Sequence, residues 1–333
     1  MSFALLDYEP LDGLYNEGDY IQSLAALQYL PAVDKFVSRE ALSDYRGETL
    51  SMILNGWFMH RPQKWPPSND IDPLFVSFHI NRPFEAALTS PASLDYFRRF
   101  PEIGCRDIRT ASILNERGVP AYYSGCLTLT LGQTVQHKPD PQGGDILLVD
   151  VAHAVPSLGG FLRAPVRSKL SHLRSGSILH VGGANRLIRK LIRAVPSDLR
   201  DRVKVLGNLQ PGDGVSTQAR LDLARARLEQ YSRASLVITS RIHAALPCLA
   251  MGTPVLFIKY GQKSKSNMYR FRGIIDLMNV IDFDGDMPEN GFESDYYRIE
   301  DIDFRAPPSN PTRHVPLAEA LIARCRQWVD ARR

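Results

Sequence analysis

The stretch SLVITSRIHAALPCLAMGTPVLFI, residues 235–258, holds the repeating unit of the chain. LVIT is β-branched and apolar, as a buried strand requires. Gly252 and Pro254 end the short helix that follows, and PVLFI opens a second strand. Two apolar strands joined by a helix make a unit of a parallel sheet covered on both faces. The turn breaks the apolar pattern, because it holds Arg241 and His243. Ser240 is placed to cap the helix, which puts both residues in its first turn. There the unpaired N–H groups and the helix dipole favour anions. Arg241 adds a forked donor set that suits phosphate or carboxylate, and His243 exchanges a proton near neutral pH. The pair reads equally as a surface arginine beside a structural histidine. Pro247 removes the bond to the carbonyl of His243 and strains the first turns.

The same alternation runs outward in both directions. FALLDY, SMILNGW, PLFVSFHI, IGCRD and AYYSGC read as strands before residue 130, with helical stripes such as DYIQSLAALQYL and TASILNERG among them. QHKPDPQGGD, residues 136–145, has two prolines and two glycines and no periodicity, so it reads as a linker. DILLVDVA, SILHV, VKVLG, SLVITS and PVLFIKY restart the pattern after it. The expected fold is α/β, with two Rossmann-like domains facing across a cleft, residues 1–138 and 145–310. Residues 311–333 carry one amphipathic helix, PLAEALIARCRQWVDARR, able to cross back to the first half.

Composition sets bounds on function. With 333 residues, 44% of them hydrophobic and 23% charged, the chain suits a globular protein of two domains. No run of about 18 apolar residues appears, so no integral membrane segment is expected. The N-terminus turns acidic at once, unlike a secretory signal, which points to the cytoplasm and leaves peripheral attachment at the inner membrane surface open. The four cysteines form no CxxC pair and read as reduced core thiols, with no metal site. A net charge of +4 does not suggest a nucleic-acid partner. The basic segment at 185–204 places Leu187 and Leu191 on one helical face, so its charges belong to the solvated face. The segment 259–273, with Lys263, Lys265, Arg270 and Arg272, reads as a flap over the cleft or as an exposed loop. No GxGxxG or Walker motif occurs, so no dinucleotide cofactor is expected. A homo-oligomer is left open.

Ligands in open parallel sheets collect at the carboxyl ends of strands, so the polar residues there are the candidates. The strand in IGCRD ends at Arg106–Asp107, and Arg106 is either a second anion arm or the ion partner of Asp107 or a neighbour. In YNEGDYIQ, Asp19 is a natural N-cap for a helix starting at Tyr20, and a carboxylate there could also accept a hydroxyl proton. Asn16 could hydrogen-bond a sugar. In ILNGWFMH, Asn55, Trp57 and His60 pair an aromatic face with polar edges, as carbohydrate recognition requires, or else they pack in a loop. His79 follows FVSF near the end of the third strand and suits either a site or a core.

Together NEGDYIQSLAA, IGCRDIRTASIL with GVPAYYSGCLTLTL, and ITSRIHAALPCLAMGTPVLF resemble the polysaccharide pyruvyl transferase family. The resemblance spans most of residues 8–260, and the R-x-H core is its most specific part. ILNGWFMH departs from the glycine-rich turn that many members carry. The resemblance implies a GT-B-like fold, with an acceptor side in the first domain and a donor side in the second. Phosphoenolpyruvate is the implied co-substrate, and no cofactor or metal is implied. A sugar diol of a glycan, or of a lipid-linked precursor, is the implied acceptor. It further implies that Arg241 and His243 contact the donor with Arg106 as partner, Ser240 being counted with them. His243 is then the acid and Asp19 the base, while Asn16, Asn55, Trp57, His60 and His79 face the acceptor. The alternatives are a GT-B glycosyltransferase using a nucleotide sugar, disfavoured because no acidic ribose-binding residue stands out in the second half, and a non-catalytic glycan-binding protein.

Overall fold

The computed structural model describes residues 2–140, 143–152, 162, 183–260, 271–282 and 294–333. The expected strand SILHV and most of the basic segment at 259–273 lie outside the described residues.

The first half is built on β1 (Ser2–Asp7), β3 (Lys35–Ser38), β4 (Leu50–Phe58), β5 (Ile71–Ile80), β6 (Ile103–Cys105) and β7 (Ala121–Tyr123). The second uses β8 (Ile146–Val149), β9 (Val203–Leu206), β11 (Leu236–Thr239), β12 (Val255–Lys259), β13 (Asn279–Asp282) and β14 (Tyr296–Tyr297). The described helices are α1 (Glu17–Leu27), α2 (Glu85–Leu88), α3 (Pro91–Phe97), α4 (Ile108–Asn115), α5 (Gly183–Ala194), α6 (Thr217–Arg233), α7 (Ile242–Met251) and α8 (Val315–Asp330).

Both six-stranded sheets are parallel, in the orders β3-β1-β4-β5-β6-β7 and β14-β13-β12-β11-β8-β9. Counted along its own chain, each half has its second strand on one side of its first strand and its third strand on the other. Each therefore has a switch point, between β1 and β4 and between β8 and β11, and crevices form outside the carboxyl ends of the strands at such points. The mixed α/β architecture with two parallel sheets agrees with two Rossmann-like units.

The halves are joined by more than the chain between them. β2 (Leu14–Asn16) pairs antiparallel with β10 (Leu209–Pro211), one strand from each half. Glu17 on α1 meets Arg227 on α6 at 2.8 Å, and burial dominates the Glu17 carboxyl, raising it despite that partner. Thr217 donates to Asp7 at 2.9 Å, and Arg220 reaches the Tyr8 carbonyl at 3.3 Å. One apolar core runs from Phe3 and Ile21 through Leu228 and Ala245 to Val329. α8 returns to the first half, as the amphipathic pattern allowed. Its buried Ala318, Leu321, Cys325 and Val329 join that core, and Arg324 pairs with Glu102 at 2.7 Å. α5 buries Leu187 and Leu191 completely and exposes Arg186, Arg189 and Lys190. No helix among the described residues is long and apolar enough to cross a membrane.

Candidate active site

The two switch points face one cavity of about 490 Å³. Arg106 comes from the end of β6, while Arg241 and His243 come from the turn after β11, and all three line it. Residues 135 positions apart thus share a wall with no hinge rotation needed. Asn16, Asp19, Trp57, His60 and His79 line the same cavity. Three helices begin there: α1 just after Asn16, α4 after Asp107, and α7 after Arg241. Their N-terminal dipoles add to an already cationic wall. A larger depression, about 620 Å³, lies beside the amino end of β5 around Arg46, Asp70 and Arg99, away from these strand ends.

Arg106 has the most unusual environment of the set. It is 2% exposed, its Nε lacks a hydrogen-bond partner, and its side chain makes no ion pair among the described residues. The expected alternative, a pair with Asp107, does not form, because Asp107 is engaged by His79 at 2.5 Å and by the Thr110 N–H at 2.9 Å. Burial lowers the pKa of Arg106, while Asp107, Cys126 and Asp19 push it back up. The guanidinium keeps its proton, so a whole charge sits buried beside an open cavity. Burial would raise the Asp107 carboxyl, but the His79 imidazole and Arg106 hold it below its ordinary value.

Helix α1 starts earlier than its sequence suggested. Asn16 is the N-cap and accepts from the Gly18 N–H at 3.1 Å, so Asp19 lies in the first turn and is released from capping. Asp19 is 9% exposed; Gln22 donates to it at 3.2 Å, and Arg39 stands 4.0 Å away. Burial raises its carboxyl above the ordinary value, with Arg39, Arg241, His60 and Arg106 opposing in that order. Between Asn16 and Asp19, Gly18 lets the first half approach the second. A Cβ there would lie 3.1 Å from the His243 Cβ and 3.3 Å from the Asn16 Oδ1. Gly18→Ala is therefore expected to leave the fold intact and lower turnover by about tenfold, by displacing His243 a few tenths of an ångström. Comparing kcat with the melting temperature checks this, and a parallel loss of both would point to misfolding.

Helix α7 also departs from expectation at its start. Arg241, not Ser240, occupies the N-cap position, and its N–H bonds the Thr239 hydroxyl at 3.0 Å. Ser240 donates instead to the Asp150 carbonyl at 2.5 Å and does not line the cavity. The Asp150 side chain accepts from Arg241 Nε at 2.8 Å and from the Asn208 N–H at 3.1 Å. Asp150 takes a φ of +41°, the left-handed region that non-glycine residues rarely enter. The chain turns sharply there, straight off β8, and presents the carboxylate to Arg241. The helix continues through Pro247 to Met251.

Asn55 lies outside the cavity too. It is 2% exposed and donates to the Gln22 carbonyl at 2.9 Å, tying β4 to α1. The register of β4 slips between Leu54 and Gly56. Gly56 has φ +108°, and a Cβ on it would lie 2.6 Å from the Gln22 Oε1. Trp57 follows this bulge and meets His60 edge-on at 4.6 Å between centroids. Burial, then Arg39, lowers the His60 pKa.

Arg39 and Asp150 are the site residues that sequence reasoning passed over. Asp150 directly follows the apolar ILLV of DILLVDVA, where the strand-end rule applied elsewhere would have found it. It is also an acidic group in the second half, which the sequence reading did not single out, and its carboxylate is already taken up by Arg241. Arg39 follows KFVS, a four-residue strand with two exposed residues and an apolar pair too short to stand out.

A search of the curated proteins returned no match. The model of one protein family, polysaccharide pyruvyl transferase, matches residues 16–262 of the 333. That span begins at the Asn16 cap, contains Asp19, Arg106, Asp150, Arg241 and His243, and covers well over half of the chain; the protein belongs to the polysaccharide pyruvyl transferase family.

Proposed function

We propose that this transferase moves the enolpyruvyl group of phosphoenolpyruvate onto two hydroxyls of one sugar, as a cyclic ketal, with release of phosphate. The observation that carries the reading is Arg106, a buried guanidinium that makes no ion pair among the described residues, on the same cavity wall as Arg241 and His243. An unpaired buried charge is unfavourable by several kcal/mol unless something neutralises it. A small ligand with both a phosphate and a carboxylate gives each arginine an anionic partner.

In this reading Arg106 and Arg241 hold the donor, and Asp150 keeps Arg241 aimed. His243 gives a proton to the methylene carbon, which leaves C2 electron-poor. One sugar hydroxyl adds to C2 while Asp19 takes its proton. Phosphate leaves C2, and the second hydroxyl closes the ring and loses the last proton to the departing phosphate. The acceptor rests against Trp57 and His60, with Asn16 and His79 in reach as polar partners. Leu11, Leu14 and Leu209 line the mouth and are 56%, 42% and 52% exposed, a ledge suited to an apolar aglycone.

The test is incubation with phosphoenolpyruvate and a panel of methyl and long-chain alkyl glycosides. Phosphate is followed in solution and product by mass, with a carboxyethylidene gain expected. Release of a nucleoside diphosphate from a nucleotide sugar, with a glycosyl gain in product mass, would instead favour glycosyl transfer, and glycan binding with no release from any donor would favour a binding protein. Asp19 must be ionised to act, and burial raises its carboxyl above 3.8. Activity is therefore expected to fall as pH drops through that raised value, and kcat measured against pH gives the position of the limb.

A further inference from the structure

Arg39 is 3% exposed, and its guanidinium lies 4.8 Å from the Tyr8 ring centroid and 4.5 Å from that of Trp57. Its Nε donates to Glu40 at 2.9 Å. Glu40 is in turn fixed by the N–H groups of His60 and Arg61, at 3.2 and 2.7 Å. The guanidinium is thus held by two rings and by one immobilised carboxylate. Its Nη1 makes no hydrogen bond among the described residues and stands 4.0 Å from the Asp19 Oδ2. That separation is too long for a hydrogen bond and short enough for strong coupling in a buried setting. A residue serving stability alone would be expected to close that gap, because a spare buried donor is unfavourable.

We propose that Arg39 is a positioning residue for the transfer: its charge holds the Asp19 carboxylate ionised at the cavity wall, and its plane carries the Trp57 indole, so one side chain sets both the base and the ring that meets the acceptor. The inference rests on the reading of Asp19 as the base. Arg39 acts through its neighbours, since a guanidinium has no lone pair with which to take a proton. The other groups facing Asp19 are Arg241 from the start of α7, His60 beyond β4, Arg106 beyond β6, Tyr8 beyond β1, and Gln22 from α1 itself. Arg39 comes first among the charges opposing the burial of Asp19.

The test uses the full chain with Arg39→Gln and Arg39→Lys. In Arg39→Gln the acid limb of kcat is expected to move up by about one pH unit or more, a tenfold change in the protonation constant. In Arg39→Lys, which keeps the charge and loses the plane, the limb is expected to stay near its place while the acceptor KM rises several-fold. A second readout needs no substrate: carbon NMR of carboxyl-labelled aspartate follows the Asp19 titration, assigned with Asp19→Asn. A uniform drop in kcat with an unmoved limb and an unmoved Asp19 titration would reduce Arg39 to packing and overturn the proposal. If the wild-type chain releases no phosphate with any acceptor, the reading of the reaction fails, yet the NMR titration still decides whether Arg39 controls Asp19. Should Arg39→Gln not fold, the lysine variant decides alone: a titration shifted as far as one pH unit, with the charge retained, refutes the electrostatic role.

Discussion

Arg106→Met is expected to raise the donor KM by about a hundredfold or more and to leave the protein as stable as before, or more stable. The two halves of that result have one cause. Arg106 is buried and makes no ion pair among the described residues, so the empty site bears most of its desolvation and a bound donor would relieve it. Removing one partner of a buried charge pair typically loses about 2–5 kcal/mol of binding, and a hundredfold is about 2.7 kcal/mol. A methionine of similar length fills the space without the charge, and such exchanges of buried ionic groups are often neutral or stabilising by about 1–4 kcal/mol. Arg241→Met should behave differently in the fold, because it would strip Asp150 of its cationic partner, now bonded at 2.8 Å, and leave it the Asn208 N–H. Thermal melts beside donor titrations by calorimetry check both expectations. If Arg106→Met bound the donor normally, the anion clamp would be wrong.

His243→Asn is expected to lower kcat by about 10²–10⁴ while the donor Kd changes less than threefold. General acid catalysis contributes about that much, and asparagine keeps the bulk that packs against Gly18 while losing the proton. Single-turnover phosphate release, with separate donor binding, distinguishes the outcomes. A change in affinity alone would assign His243 to binding and leave the protonation step to another group. The contrast with Arg106 is the useful feature: one variant should lose the donor and keep its stability, the other should hold the donor and fail to convert it.

The site was partly legible because its residues obey a local rule: a polar side chain at the end of an apolar strand stands out by type and position. Arg106, Arg241, His243 and Asp19 stand out that way, and the structure brings all four to one cavity. The rule failed where the strand itself was hard to see. β3 is KFVS, with Lys35 and Phe36 exposed at the sheet edge, so Arg39 had no apolar run to mark it. β2 and β10 have three residues each and gain their partners only across the halves. Capping was misread for a related reason. Asp19, Asn16 and Ser240 are all competent caps in sequence, and which one caps depends on where the backbone enters the helix.

The order of apolar strands and helices, written in side-chain pattern, determined two parallel sheets and a returning C-terminal helix. Hydrophobic periodicity is a local property, so the chain declares it residue by residue. The stretch at 239–243 likewise declared a helix start with Arg241 and His243 beside it. The tertiary structure alone decided which charges were satisfied. Asp107 turned to His79 and not to Arg106, Asp150 took Arg241, and Arg39 came to lie between two rings beside Asp19. Electrostatic pairing depends on distances between segments far apart in the chain and on how much water is excluded from each. Neither quantity exists until the two sheets have packed around one core.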